Sequence, residues 1–342
     1  MKTLVTFGEM MLRLEPPGYQ RLIQGNTMQA TFAGSEGNVA VMVARLGGNS
    51  RFVTALPEQH PLSERCCMEL RGIGVDTSSI HYAPGRLGLF YSECGSNVRP
   101  SKVYYDRANS VFSMVQPGVY DWENILDGAD WFHWSGITPA VSASAAACCQ
   151  EAIQCAKSKG ITVSCDINYR AKLWQYGKSA SEVMPSLIQL TDIVIGNEED
   201  CCKVFGIAPP EKNAEVVDST TCAGVCKQMV QLFPNIRGLA VSLRGSISAN
   251  HNTWQAAYYD CDNLYLSTQY NITDIVDRVG AGDSFAGAMV YQLMNQAAPK
   301  YALEYATAAS CLKHTISGDY NMVSDSEVLL LMNGNNAGRV IR

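Results

Sequence analysis

Between residues 130 and 242 the chain alternates short apolar runs with helical stretches, and this alternation constrains the fold more than any other feature. Apolar runs at 130–136, 161–167, 192–196 and 236–242 predict strands. The segments between them, at about 140–159, 179–190, 198–205 and 213–232, predict helices. Strands joined through helices give right-handed βαβ units, hence a mostly parallel sheet covered on both faces. The predicted class is α/β with three layers. Upstream, 3–8 predicts a strand, and a helix over 36–46 has the apolar face Val39, Met42, Val43 and Leu46, closed by Gly47-Gly48. A strand at 51–56 and a helix from about 62 to 71 follow. Downstream come short strands at 254–257, 263–267 and 271–276, then helices at 281–296 and about 300–316. Two stretches break the alternation, 12–33 and 86–110, the second with strands at 87–93 and 102–108. They predict a small sheet beside the main one. No repeat or linker divides residues 1–342, so one domain is expected.

The chemistry gathers at Asp277-Arg278-Val279-Gly280-Ala281-Gly282-Asp283-Ser284-Phe285, which joins the strand ending near 276 to a helix carrying Phe285, Met289 and Leu293 at i, i+4 and i+8. Two glycines at such a turn admit a bound group close to the backbone. The helix start offers unpaired N–H groups at the positive end of its dipole, a site for phosphate. Asp283, in the first turn, can take a proton from a hydroxyl while the amides hold the oxyanions of a transferring phosphoryl group. A helix-capping aspartate would produce the same short string.

Composition narrows the partners. A hydrophobic content of 47% describes an ordinary globular chain, and a net charge of −6 provides no basic face for nucleic acid. No apolar run approaches the roughly 20 residues that span a bilayer, and the N-terminal one is too short for a signal peptide, so no membrane partner and a cytoplasmic location are expected. Thirteen cysteines, among them the adjacent pairs Cys66-Cys67, Cys148-Cys149 and Cys201-Cys202, suit buried free thiols. Cys222-x-x-x-Cys226 lacks the second pair or histidine of a zinc site. Gly177-Lys178-Ser179 lacks the upstream glycine of a P-loop (Lys172 stands there), and no Gly-x-Gly-x-x-Gly follows the first strand.

The string Asp-x-x-Gly-Ala-Gly-Asp-Ser-Phe resembles the C-terminal signature of the ribokinase-like (PfkB) carbohydrate kinases. Arg278 stands where threonine is usual, a departure expected to matter little. Ala33-Gly34-Ser35-Glu36-Gly37-Asn38 resembles the family's first signature, Gly-Gly-x-x-x-Asn, with Ala33 for the first glycine. The resemblance implies that Gly34 and Asn38 meet sugar hydroxyls. It implies that Asp283 is the base and that Gly280, Ala281 and Gly282 form the amide cradle. Asn197-Glu198-Glu199-Asp200 resembles the Asn-x-x-Glu element that organises Mg2+, with Asp200 in place of glutamate and acting through water. Ser242, Arg244 and Gly245 correspond to the nucleotide loop, and 309–315, with His314, to the helix lining the adenine pocket. ATP and Mg2+ are the implied cofactors, with a monovalent cation in some members.

Tyr105-Asp106-Arg107 lies on a predicted strand with Tyr105 and Arg107 on one face, and Asp166-Ile167-Asn168-Tyr169-Arg170 closes another at its C-terminal end. Arginine pairs bidentately with a carboxylate, so these two suggest an acidic sugar. With Trp131 to Ala140, these strings resemble the family members that phosphorylate 2-keto-3-deoxygluconate. That likeness implies substrate contacts at Phe90, Tyr105, Arg107 and Arg170, a nucleotide contact at Asn168, and phosphorylation of the 6-hydroxyl. The resemblance runs from Gly8 to about Asn321 and implies the ribokinase-like three-layer α/β/α fold. It also implies a β lid from 12–33 and 86–110, and a homodimer or higher homo-oligomer pairing through lids. Fructokinase or another ketose kinase is the alternative of the same mechanism; a nucleotide-binding regulator without catalysis is the alternative of another class.

Overall fold

The computed structural model describes residues 1–207 and 219–334. The chain begins with β1 (Thr3–Phe7), β2 (Met11–Glu15), β3 (Gln29–Ala33) and α1 (Ser35–Arg45). Then come β4 (Asn49–Val53), β5 (Ala55–Pro57), α2 (Pro61–Ile73), β6 (Val75–Asp76), β7 (His81–Ala83), β8 (Gly88–Glu93) and β9 (Lys102–Asp106). After α3 (Trp122–Ile125) the predicted alternation runs through β10 (Trp131–Ser135), α4 (Ile137–Val141), α5 (Ala143–Ser158), β11 (Thr162–Asp166) and α6 (Ala180–Ile188). It continues with β12 (Ile193–Gly196), α7 (Glu198–Phe205), α8 (Ser219–Leu232) and β13 (Gly238–Ser246). The chain closes with β14 (Asn252–Tyr259), β15 (Leu264–Leu266), β16 (Tyr270–Ile272), α9 (Ala281–Met294), α10 (Pro299–Lys313) and α11 (Asp325–Met332).

The main sheet has the order β15-β14-β13-β12-β11-β10-β1-β4-β6, with β16 also on β14. Every neighbouring pair from β13 to β6 is parallel. The β14 partners are antiparallel. The strands alternate their side chains between two cores, as a pleated sheet buried on both faces must. Phe132, Trp134, Val194, Leu239 and Val241 join α5, α6, α7 and α8 on one side. Trp131, Ile193, Ile195 and Ala240 join α1, α9 and α10 on the other. A second sheet, β3-β2-β8-β9, comes from the two stretches that break the alternation. No helix of the described residues is long and apolar enough to cross a membrane. All thirteen cysteines are free.

Several boundaries differ from expectation. The 51–56 run breaks at Thr54: β4 stays in the main sheet and β5 pairs with β7 in a separate two-stranded sheet. The 140–159 stretch divides at Ser142, whose extended backbone interrupts the helix and whose hydroxyl accepts from Ala145 N (3.1 Å) to cap α5. The 271–276 strand ends at Ile272. The helix predicted over 213–232 is present from Ser219, and 213–218 lie outside the described residues. α11 has a capping box between Ser324 and Glu327 that the sequence reading missed.

One close approach positions everything described below. A Cβ built on Gly287 of α9 would stand 2.7 Å from the Met42 side chain and 3.1 Å from the Val39 carbonyl oxygen of α1. The absence of that carbon lets the two helices lie against one another. Gly287→Ala would gain about 1 kcal/mol of helix propensity but incur an overpacking cost of about 1–3 kcal/mol against backbone as well as side chain. We therefore expect a net loss of stability, read as a lower urea midpoint; an unchanged or raised midpoint would show that α1 can shift freely.

Candidate active site

The main pocket lies at the C-terminal ends of the parallel strands, where open α/β sheets build their sites. Its volume is about 650 Å³, and it brings together Gly34, Asn38, Phe90, Tyr105, Asn168, Arg170, Asn197, Asp200, Ser242, Arg244 and the whole Gly280–Asp283 turn. At its floor α9 begins at Gly280, whose φ of 80° is left-handed and where a Cβ would meet the Asp319 carbonyl oxygen at 2.1 Å. Ser284 N is the first amide of the helix to find a full-strength partner ahead of it, Gly280 O at 2.9 Å. Gly282 has open space around it, and Gly282 and Asp283, whose amides have no backbone partner among the described residues, both line the pocket.

Asp283 is half-buried and held at both oxygens by α1. Ser35 Oγ donates to its Oδ1 (2.8 Å) and Asn38 Nδ2 to its Oδ2 (2.6 Å). Burial pushes the Asp283 pKa up, and these two hydrogen bonds oppose that rise. Asn38, expected to meet the sugar, thus has its amide group turned to Asp283. Gly34 is extended (φ −174°) and needs to be glycine because a Cβ there would stand 2.2 Å from the Glu9 carbonyl oxygen.

The end of β11 forms the next wall. Asp166 lines the pocket, its pKa driven well up by burial and then by Asp283 and Asp200. Asn168 is left-handed (φ 41°) and its Nδ2 donates to Ser35 Oγ (3.2 Å). Expected on the nucleotide, it lines the pocket and contacts the serine that holds Asp283. Arg170 is exposed, and its guanidinium donates only to the Tyr169 carbonyl (3.3 Å). Asn197 caps α7 by accepting from Asp200 N (2.7 Å), and Asp200 accepts from Tyr169 N (3.2 Å). The capping reading of this element therefore holds, and the same residues line the pocket. Among the described residues no three His, Cys, Asp or Glu side chains converge as a metal cage. Glu198, Glu199 and Asp200, consecutive at the start of α7, border the pocket without converging, a donor set that fits a magnesium ion retaining most of its waters.

On the β13–β14 side Ser242 and Arg244 line the pocket. Gly245 does not: it pairs with Thr253 across the hairpin. His314 is also set back, 1% exposed, with Nδ1 on the Ser310 carbonyl (2.8 Å) and its ring 5.4 Å from that of Trp254. Trp254 is the residue that reaches the pocket, and burial pushes the His314 pKa down to about 4. Arg278, where little consequence was expected, lines the pocket and donates through Nη2 to the carbonyls of Ala249 (2.6 Å) and Ser248 (3.3 Å). It braces the hairpin loop and adds a second positive charge near Arg244.

The second sheet supplies the remaining wall through Met11, Phe90, Val103 and Tyr105. Arg107 lies just past β9, 5.6 Å from the Tyr105 ring, but its guanidinium is buried against Glu9, with Nε on Oε2 at 2.7 Å. It does not line the pocket, because Glu9 supplies inside the protein the anion that a substrate was expected to bring. Sequence reasoning also passed over Arg13 of β2. Its guanidinium pairs with Asp319 (2.6 Å), Asp277 (2.8 Å) and Glu15, beneath the turn at Gly280. No spacing signal marks it, since its partners lie more than 250 residues away except Glu15.

A carboxylate that faces a row of free amides across one helical turn can take a proton from a hydroxyl as those amides receive a phosphoryl group. Such an arrangement on a doubly covered parallel sheet defines a phosphotransferase with an alcohol acceptor. The chain belongs to the pfkB family of carbohydrate kinases, whose pattern matches residues 1–230 and 255–326. It is 31% identical to the 2-dehydro-3-deoxygalactonokinase of Haloferax volcanii, over 98% of both chains. It is 26% identical to the 2-dehydro-3-deoxygluconokinase of Thermoproteus tenax, over 93% of this chain and 90% of that one. The crystal structure of the 2-dehydro-3-deoxygluconokinase of Thermotoga maritima superposes with a TM-score of 0.93 at 42% identity, covering 98% of this chain and 100% of the other.

Beneath Asp283 lies Glu36, 1% exposed, whose Oε1 accepts from Ser135 Oγ (2.6 Å), Thr138 Oγ1 (2.8 Å) and Ser135 N (3.1 Å). Burial raises its pKa from 4.5 to about 7 despite those donors. Between those two values the folded state keeps a proton that the unfolded chain has released, so stability falls as pH rises through the window. Glu36→Gln retains an acceptor and removes the titration. Its urea midpoint should fall less than that of the wild type between pH 4.5 and 7; parallel profiles would mean that Glu36 is ionised throughout.

Proposed function

We propose that this carbohydrate kinase transfers the γ-phosphoryl group of ATP to the 6-hydroxyl of 2-keto-3-deoxy-D-gluconate. The observation that carries the substrate class is Arg170, an exposed guanidinium on the pocket wall whose one hydrogen bond among the described residues is to a neighbouring carbonyl. A neutral ketose gives such a group nothing to pair with, whereas a sugar carboxylate offers a charge-assisted bond. Relatives named for 2-dehydro-3-deoxy sugar acids, similar along nearly the whole chain, support the same class. The first of these is named for the galacto epimer, which differs at C4, and that epimer is the second substrate to test.

In this reading Asp283 takes the proton of the 6-hydroxyl, and the amides from Gly280 to Asp283 hold the transferring group. Arg244 and Arg278 face the remaining phosphates, and Phe90 and Tyr105 pack on the sugar. Magnesium, held through water near Asp200, would neutralise phosphate charge. The chain's own contribution is then position and charge stabilisation.

Asp283→Asn is nearly isosteric, keeps one acceptor for the two donors of α1 and removes the base, so turnover is expected to fall about 10²–10⁴-fold with ATP still bound. Activity near that of the wild type would overturn the assignment. For the substrate, a panel of 2-keto-3-deoxygluconate, its galacto epimer, fructose and ribose would be assayed by ADP release. We expect the keto acids to be preferred, and Arg170→Ala to weaken them by about one to two decades while leaving the KM for ATP in place. Preference for a neutral sugar, or an Arg170→Ala enzyme with unchanged affinity for the acid, would refute the carboxylate contact.

A further inference from the structure

We infer that Ser35 is a positioning residue for Asp283: its hydroxyl fixes the orientation of the carboxylate and favours its ionised form. The inference rests on the reading of Asp283 as the base. Ser35 is 9% exposed at the first position of α1, and its Oγ has two partners with opposite roles. Asn168 Nδ2, which can only donate, approaches Oγ at 3.2 Å. The serine proton must therefore point elsewhere, and Asp283 Oδ1 lies 2.8 Å away. Asn168 thus settles the direction of the bond that Ser35 gives to the base.

The same bond joins two walls of the site. Asn168 and Tyr169 follow β11, Tyr169 N donates to Asp200 (3.2 Å), and Arg170 comes next in the chain. A continuous path of hydrogen bonds and one short stretch of backbone therefore runs from Asp200 on α7 through residues 168–169 and Ser35 to Asp283. The left-handed φ of 41° at Asn168 is what turns its amide towards α1.

The charges around Asp283 show why a donor is needed there. Burial opposes a negative charge at this point, and that charge in turn pushes Asp166 of β11 and Glu36 of α1 towards their neutral forms. Arg170 after β11 and Lys313 of α10 favour it, Lys313 being itself buried with Nζ on the Ile316 carbonyl (2.9 Å). Of the two side chains that touch the carboxylate, Asn38 serves Oδ2 and Ser35 serves Oδ1. Both donate, so both favour the ionised state, and losing either shifts the balance towards protonation.

The test compares Ser35→Ala and Ser35→Thr with the wild type, measuring kcat, KM for each substrate and the pH profile of kcat on the accepted sugar acid. Ser35→Ala is expected to lower kcat about 10- to 100-fold, as for loss of one hydrogen bond to a charged group, with the KM for ATP unchanged. Its acid limb should move to higher pH, because a carboxylate that has lost a donor protonates more readily. Ser35→Thr, which keeps the hydroxyl, should restore both kcat and the limb. A Ser35→Ala enzyme with wild-type kcat overturns the inference. So does one whose kcat falls while its acid limb stays in place, since a packing defect moves rate without moving the titration. Asp283→Asn separates the two readings. If that variant stays active, the base assignment fails; if it loses turnover while Ser35→Ala behaves as wild type, only the role of Ser35 fails.

Discussion

The site depends on the contact between α1 and α9, and that contact depends on Gly287. Ser35 and Asp283 are 248 positions apart, yet their side chains touch. They meet because α9 can lie on α1 at the distance of a missing Cβ, one helical turn after Asp283. The same packing buries Met42, Val39 and Met289 in the core on that face of the sheet. Burial of several apolar side chains at about 1.5–3 kcal/mol each holds the helices together. The hydrogen bonds at the carboxylate then need only select an orientation that packing has already made available. Non-directional burial sets the distance between the two halves of the chain, and the polar contacts set the angle.

The electrostatics follow a second constraint. An acidic protein that handles anions must keep its own carboxylates from repelling them. Asp277 and Asp319, beneath the glycine turn, are matched by Arg13, whose charged form is stabilised by these partners in spite of burial. Glu36 is relieved another way, since burial favours its neutral form up to about pH 7. The pocket is then lined by Asp283 with its two donors, by Asp166, Glu198, Glu199 and Asp200 on one side, by Asp319 under the turn, and by Arg170, Arg244 and Arg278. Arg107 is excluded from that set because Glu9 has claimed it. Two arginines that looked equivalent in the sequence are therefore unlike: one stabilises the connection to the second sheet and one is presented to solvent.

The features legible in the sequence were those written in local pattern. The parallel alternation, α7 over 198–205, the second sheet and the two glycine signatures could all be read from spacing and residue type. Long-range partnership could not. Nothing near Arg13 announces Asp319, and nothing near Arg107 announces Glu9 on a different strand connection. The reading of Arg278 failed for the same reason, since its carbonyl partners at 248 and 249 belong to a hairpin loop with no pattern of its own. His314 lies one layer back from the pocket, packed on Trp254, which lines it. Ser35 lay inside a quoted motif, yet its two partners could be known only once β11 and α9 had been brought beside α1.

The second sheet is joined to the main body by contacts of unequal strength, which bears on how it can serve as a wall of the pocket. At β2, Arg13 is 2% exposed and shared among three carboxylates, with Nε also donating to Ser92 Oγ (3.1 Å). Separating a buried ion pair leaves an uncompensated charge and costs about 3–5 kcal/mol. At the far edge, Ala249 N donates to Asn97 O (2.8 Å) and Asn97 N donates to Asn250 Oδ1 (2.7 Å), both near solvent. Hydrogen bonds of that kind contribute about 0.5–1.5 kcal/mol each. The strongly held side lies against Asp277 and Asp319 and so fixes the backbone on which Gly280 turns. The weakly held side carries β9, where Val103 and Tyr105 line the pocket, and meets the hairpin loop braced by Arg278. The sheet is thus firm beneath the glycine turn and lightly tied at its β9 edge.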